Sequence, residues 1–134
     1  MDDLDFKAPE QRTLDNLPDI IHQAEIHVIR LRDRKKEEEA ALKISKDLLK
    51  RIKWRELGSN DKERDAAFTL LLAEDKDISD QEELINKIDF AIKTHESLVE
   101  KFIREFQREQ LKLRRALVRH EIFGGVPVPD VSKH

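Results

Sequence analysis

Six lysine and arginine side chains in the C-terminal third of the chain are the residues best suited to contact with an anion. They follow one another at intervals of three or four residues, which places them on one face of an α-helix. Over residues 101–119, seven cations face only two carboxylates. Cations in such a row can hold successive phosphates and release counterions as they bind. We call this set the basic ridge: Lys101, Arg104, Arg108, Lys112, Arg115 and Arg119.

Two features of the sequence favour a solvated helix face over a nucleic-acid site. Glu105 and Glu109 are interleaved with the cations, and no aromatic side chain lies within the ridge to stack on bases. Cations near the end of a helix also stabilise the helix dipole, whatever the function. Nucleic-acid binding is therefore the alternative interpretation.

Over residues 56–83, ten carboxylates face three cations, which predicts a surface that attracts a basic partner.

Residues that could support catalysis or bind a metal are few and poorly spaced for either role. The chain has no cysteine, which removes thiolate ligands and cysteine nucleophiles. His95 and His120 lie at apolar positions of a helix, where histidine is more often a hydrogen-bonded core residue than a ligand. Paired Glu-x-x-His motifs, a phosphate-binding loop and a nucleophile elbow are all missing from the sequence. We therefore expect no enzyme, no metal and no cofactor.

Two long ladders of apolar residues predict the elements that position these side chains. One runs from Leu17 to Glu56 and the other from Ile85 to His120, each at alternating intervals of three and four residues, the coiled-coil period. Asn16 is the expected N-cap of the first helix, and Gly58 in a left-handed conformation is its expected end. Asn60 is the expected cap of a second helix, with Ser59 as the alternative, and Ser79 is the expected cap of a third, with Asp80 as the competing cap. The predicted helices span about 17–57, 61–74 and 80–123.

The predicted fold is all-α, a long antiparallel helical hairpin of the coiled-coil type with a short connecting helix. Residues 17–123 form a single hairpin domain in this interpretation, preceded by an acidic flexible arm (1–16) and followed by an extended flexible tail (124–134). Trp54 is expected to pack on the connecting helix, against Phe68 or Leu71; the alternative is an exposed contact for a partner.

The apolar stripes of two helices are wider than the helices can cover for each other. Large contiguous apolar patches are uncommon on monomers, so a second copy is the natural cover. We therefore expect a homodimer or higher oligomer that forms a helical bundle. The expected self-association seam comprises Ile85, Ile88, Ile92, Val99, Phe102 and Phe106.

Residues 53–67 carry a resemblance to a known class of proteins. The run from Lys53 through Trp54, Gly58, Asn60 and Arg64 to Ala67 resembles small helical accessory proteins of phage and prophage genomes, in which a charged long helix, a capped restart and a second long helix follow one another. The resemblance implies an accessory role in phage recombination or replication, or in countering host defence. It carries over no catalytic residue.

These observations favour a non-enzymatic, oligomeric helical adaptor that binds a protein partner not identified by the sequence. The alternative is a nucleic-acid-binding accessory protein of recombination or replication that uses the basic ridge. No stretch approaches the ~20 apolar residues of a membrane span, and the N-terminus lacks the apolar segment of a secretory signal. We therefore expect no membrane partner and a cytoplasmic location, in the host cell if the chain is phage-encoded.

Overall fold

The computed structural model describes residues 4–123, which are helical throughout the regular elements and include no strand. A 3-10 turn, Pro9–Gln11, precedes helix α1, Leu17–Lys53. A second 3-10 turn, Trp54–Glu56, leads to helix α2, Asp61–Glu74, and helix α3 spans Lys76–Phe123. Because the described residues form helices and no strand, the predicted all-α class is confirmed. The helices pack mainly as α1 against α3.

The chain divides into two compact units, where the sequence predicted one domain. Unit 1 contains residues 4–26 and 96–123 of the described chain, and unit 2 contains residues 27–95. Both long helices contribute to both units. The core of each unit is therefore made from a different stretch of α1 and α3.

Unit 1 is built where the start of α1 meets α3. Leu17, Ile20, Ala24 and Phe102 form its core, each no more than 2% exposed. The N-terminal segment adds Phe6, whose ring centroid lies 5.3 Å from that of Phe102. Residues 4–16, part of the segment predicted as a flexible arm, contact α3 through this aromatic pair and through an ion pair described below.

Unit 2 is built where the later part of α1 runs antiparallel to the first half of α3. Lys35, one of the polar positions that interrupt the apolar pattern of the first ladder, has a partner here. Lys35 Nζ lies 2.8 Å from Asp89 Oδ1, and this contact raises the pKa of Lys35 and lowers the pKa of Asp89. The buried aliphatic residues of this unit are Val28, Leu31, Ile78, Ile85, Ile88 and Ile92.

The turn between α1 and α2 explains the residues that carry the resemblance. Asn60 Oδ1 accepts from the Glu63 N–H at 2.9 Å, which confirms Asn60 as the cap of α2. Glu63 Oε2 accepts from the Ser59 amide at 3.0 Å and from the Ser59 hydroxyl at 2.9 Å. These hydrogen bonds, that of the amide first, lower the pKa of Glu63. Arg64 Nε donates to Gly58 O at 3.1 Å. This run therefore has a structural role that the chain itself accounts for.

Gly58 does not adopt the predicted left-handed conformation, since it has no positive φ. A Cβ atom placed on Gly58 would lie 2.8 Å from Glu63 Cβ and 3.3 Å from the Arg64 amide nitrogen. The glycine is required by the close approach of α2 rather than by a backbone angle that only glycine tolerates.

Helices α2 and α3 are separated by one residue, Asp75, and α3 begins four residues earlier than predicted. Asp75 Oδ1 accepts from the Ile78 N–H at 3.0 Å, the geometry of an N-cap. The Asp75 N–H in turn donates to Leu71 O and Leu72 O at the end of α2. Ser79, the predicted cap, lies inside the first turns of α3. Asp75 takes the role because it satisfies the ends of both helices.

The ladder of α1 is wrong at its last apolar position, where Ile52 is 62% exposed. A straight α-helix drifts by about 20° per heptad relative to a strict seven-residue repeat. Over the five heptads from Leu17, the drift turns Ile52 roughly 100° away from the buried face. The helix itself ends at Lys53, four residues before the predicted end, because the 3-10 turn follows.

The residues of the predicted self-association seam have partners within one chain. Ile85, Ile88, Ile92 and Phe102 are at most 9% exposed, while Val99 and Phe106 are half-buried. Their burial therefore requires no second copy. Asn16, the predicted N-cap of α1, uses its Oδ1 to accept from the Thr13 N–H at 2.7 Å, so its side chain braces the turn that precedes α1. The predicted tail, 124–134, lies outside the described residues.

Candidate functional site

All six side chains of the basic ridge are exposed on α3 within unit 1. Among residues 4–123, the structure gives ion pairs to two of them: Lys112 Nζ lies 3.0 Å from Glu109 Oε2, and Arg104 Nη1 lies 4.0 Å from Glu100 Oε2. Both partners are neighbours on the same helix and are themselves partly open to solvent. Such pairs are worth a few tenths of a kcal/mol each, so they leave the cations available for other contacts.

Glu105, which interrupts the ridge in the sequence, is occupied by the N-terminal segment. Arg12 Nε and Nη2 each donate to one carboxylate oxygen of Glu105 at 2.7 Å, a bidentate pair whose side chains are 6% and 18% exposed. The guanidinium also lies 5.0 Å from the ring centroid of Phe102 and donates to Lys7 O at 2.9 Å. These hydrogen bonds hold the pKa of Glu105 below its usual value, with smaller contributions from Lys101 and Arg108.

The last described turns of α3 are exposed all the way round. Every residue from 111 to 120 is exposed, in contrast to the stretch from Leu98 to Phe106 that packs on unit 1. Four large apolar side chains in this segment are 43–54% exposed. Leu113 and Leu117 continue the helix face of Phe106, since they follow it by seven and eleven residues, which are two and three helical turns. We call residues 111–120 the α3 end segment; its large apolar members are Leu111, Leu113, Leu117 and Val118.

A second exposed apolar surface lies on α1 in unit 2. Ile44, Leu48 and Ile52 are 55–66% exposed and follow one another at intervals of four residues, so they form one line along the helix. We call this line the α1 stripe. Over residues 43–55, six cations face Asp47 alone, so the stripe has a basic surround.

Trp54 lies at the end of the α1 stripe and packs as the sequence predicted. Its ring meets that of Phe68 edge-on, with centroids 6.2 Å apart, and Lys50 Nζ lies 4.5 Å from the Trp54 centroid. Beside the tryptophan is an open groove of about 390 Å³, lined by Asp47, Lys50, Arg51, Trp54 and Arg55. The groove combines an aromatic ring with three cations, whereas the basic ridge has cations without an aromatic ring.

Two histidines of unit 2 meet in its interior. The rings of His27 and His95 have centroids 4.3 Å apart, and His27 is 4% exposed. His95 Nδ1 is 2.9 Å from Ala91 O, so His95 is the hydrogen-bonded helix residue that the sequence predicted. Within residues 4–123, no three His, Cys, Asp or Glu side chains cluster in a way that could hold a metal. None of the helices described has the length and apolarity needed to cross a bilayer.

Three features of these surfaces were not predicted from the sequence. Arg12 lies in the segment predicted as an acidic arm, and nothing local signals its pairing with Glu105. Leu113 and Ile52 are members of the two apolar ladders, which predicts burial, although both are exposed. One signal was available for the last case: a strict heptad ladder on a helix of this length cannot keep its first and last members on one face unless the helix supercoils.

Comparisons of the chain with protein-family models, with curated proteins and with solved structures returned no match.

Proposed function

We propose that the chain is a non-enzymatic, oligomeric helical adaptor of the cytoplasm that binds a protein partner through the α3 end segment. The observation that carries this proposal is the uninterrupted exposure of residues 111–120, which include four large apolar side chains. When a partner buries exposed leucine and valine side chains, the complex is stabilised by about 25 cal/mol for each Å² of apolar surface removed from water.

The chemistry around these apolar residues describes the kind of partner. Lys112, Arg114, Arg115 and Arg119 flank them, against Glu121 at the end of the described side chains. A helix with apolar anchors and basic flanks fits a groove that is apolar at its floor and acidic at its rim. The resemblance of residues 53–67 to phage accessory proteins supports a partner in recombination, replication or host defence.

Site-specific photo-crosslinking tests this proposal. A photoreactive phenylalanine analogue replaces Leu117 in the full chain, and the protein is exposed to extract of the native host. We expect one prominent crosslinked protein, because Leu117 lies within the proposed contact. The matched control carries the analogue at Ser97, an exposed position on α3 upstream of the segment.

A partner that is crosslinked from Leu117, is not crosslinked from Ser97 and is lost when Leu113→Glu is added supports the proposal. The same crosslinked pattern from both positions, or no dependence on Leu113, contradicts it. Leu113 is 49% exposed, so the charged variant is expected to keep its fold, which circular dichroism checks.

One observation favours nucleic-acid binding as the second candidate function. The six cations of the basic ridge are all exposed, and Glu105, which the sequence placed in opposition to them, is already paired with Arg12. The ridge is therefore more positive toward an incoming phosphate than its sequence suggests. Alignment of these cations along one helix face suits contact with a phosphate backbone.

Fluorescence anisotropy with labelled single- and double-stranded oligonucleotides tests this candidate. The variant Arg115→Glu with Arg119→Glu removes two ridge cations, and Lys87→Glu with Lys93→Glu is the charge-matched control on the same helix. Nucleic-acid binding predicts a steep decrease in affinity with salt and a further loss in the first variant alone. Absence of binding at low salt, or an equal loss in both variants, rejects it.

A further inference from the structure

The α1 stripe has the geometry of one half of a helix–helix contact. Ile44, Leu48 and Ile52 form an i±4 ridge, the feature that packs into the groove of a second helix in the commonest class of helix crossings. The described residues leave this line of three aliphatic side chains exposed, although the rest of unit 2 has a buried core. The groove beside Trp54, on the same turns of α1, adds a concave place next to this ridge.

The outward face of α2 has the complementary chemistry. Phe68 turns toward Trp54, whereas Leu70 is 64% exposed and Ala66 and Ala73 are exposed on the same side as Leu70. Small residues on either side of one leucine let another helix approach closely. Glu63 and Glu74 lie along this face, and α2 as a whole has four carboxylates against two cations.

We propose that the outward face of α2 in one copy of the chain docks on the α1 stripe of a second copy, with Leu70 entering the groove beside Trp54. The inference rests on the oligomeric part of the proposed function and gives it a surface: Ile44, Leu48 and Ile52 on one copy, and Ala66, Leu70 and Ala73 on the other. It replaces the buried seam as the place of self-association.

Charge decides between this arrangement and the pairing of two α1 stripes. Each stripe is surrounded by Lys43, Arg51 and Arg55 among other cations, so two stripes would bring like charges together. An α2 face brings carboxylates to those cations instead. A single helix-on-helix contact lies at the low end of interface sizes, so we expect association with a dissociation constant of about micromolar, weakened by salt.

Sedimentation velocity of the full chain over a concentration series tests the contact. Leu48→Glu places a carboxylate in the stripe, and Leu70→Lys places a cation in the α2 face. Each is expected to weaken self-association by about tenfold or more, the effect of 1.4 kcal/mol. Ile29→Glu is the matched control, because Ile29 is a 55% exposed aliphatic residue of α1 that lies outside the stripe; it should leave association unchanged.

Mixing the two variants is the decisive step. The Leu70→Lys chain keeps an intact stripe and the Leu48→Glu chain keeps an intact α2 face, so an equimolar mixture should recover association that neither variant shows alone. Three results would overturn the proposal. The wild-type chain could sediment as a 15.8 kDa monomer at all concentrations. Leu48→Glu could weaken self-association while Leu70→Lys leaves it unchanged, or the mixture of the two variants could fail to associate.

The experiment separates this inference from the proposed function. Both variants leave residues 111–120 unchanged, so crosslinking from Leu117 reports partner binding independently of self-association. Failure of the mixing experiment with crosslinking intact rejects the α2–α1 contact alone. Loss of crosslinking with self-association intact rejects the adaptor role of the α3 end segment alone.

Discussion

At the scale of single residues, Arg12 determines whether the N-terminal segment belongs to the fold. It reaches Glu105 across 93 positions of the chain, with both charges largely withdrawn from solvent. A partly buried pair of this kind is costly to break, because the remaining charge loses its partner without regaining its hydration. The Arg12 guanidinium also donates from Nη1 to Lys7 O, which steadies Lys7, whose φ of 56° is the one positive value among non-glycine residues in the described part of the chain.

The Arg12–Glu105 pair predicts a dependence of stability on pH. Because the pKa of Glu105 is lowered in the folded chain, its ionised form adds stability above the ordinary value of 4.5, and this contribution is lost as the pH falls through the folded pKa. Arg12→Met removes the hydrogen bonds, so we expect a loss of about 2 kcal/mol at neutral pH and a flatter decline in acid.

Urea unfolding of the wild type and of Arg12→Met, at neutral pH and below pH 4.5, measures the loss of stability at neutral pH and its decline in acid. Lys101→Met is the control, since Lys101 is an exposed cation that acts on Glu105 only at a distance. Equal slopes of stability against pH in the wild type and Arg12→Met would contradict the role assigned to the pair.

At the scale of elements, the helix ends depend on short-range hydrogen bonds that several residues compete to make. Between α2 and α3, Asp75, Asp77, Ser79 and Asp80 are all competent N-caps by residue type. The choice falls on Asp75, which caps α3 with its side chain while its amide closes α2. Helix α3 therefore gains a turn that the Ser79 cap would have left out.

Exchange of the two candidate caps tests this assignment. Asp75→Ala removes the acceptor of the Ile78 N–H and should cost about 1 kcal/mol of the free energy of unfolding. Ser79→Ala should be neutral or slightly stabilising, since alanine is the better residue inside a helix. Thermal unfolding of the two variants compares them directly. A larger loss for Ser79→Ala than for Asp75→Ala would mean that α3 begins where the sequence predicted.

The elements also show which features a sequence can specify. The cap of α2 was predicted correctly, since Asn60 and Glu63 lie three residues apart and their contact is local. The position of Ile52 was not, because a seven-residue period and a 3.6-residue helix diverge over α1. The Arg12–Glu105 pair could not be found, since 26 cations and 29 carboxylates offer too many long-range pairings. The placement of the basic-ridge cations on one helix face was predictable, since intervals of three and four residues are local.

At the scale of the whole molecule, what matters is which apolar residues the chain covers for itself. Spacing placed Phe102, Phe106, Leu113 and Ala116 in one ladder, and the structure buries or half-buries the first two and exposes the second two. The difference depends on where the covering residues of α1 and the N-terminal segment begin, which no local pattern encodes. The uncovered part is the surface proposed to bind a partner.

Two alanine variants on α3 separate the covered from the uncovered part. Phe102 is 2% exposed in the core of unit 1, so Phe102→Ala should cost about 3–5 kcal/mol through the lost burial and the cavity left behind. Leu117 is 54% exposed, and Leu117→Ala should change stability by no more than about 0.5 kcal/mol. Denaturant unfolding checks both. A loss above 2 kcal/mol for Leu117→Ala would show that the segment is covered.

Hydrogen exchange of the full chain, followed by mass spectrometry, tests the central claim most directly. Amides between Leu98 and Phe106 lie in the packed part of α3, whereas residues 111–120 form turns that none of the elements described in residues 4–123 covers. We expect the first group to exchange only through large-scale unfolding and the second to exchange by local opening, orders of magnitude faster. Equal protection of the two stretches in the isolated chain would contradict the account.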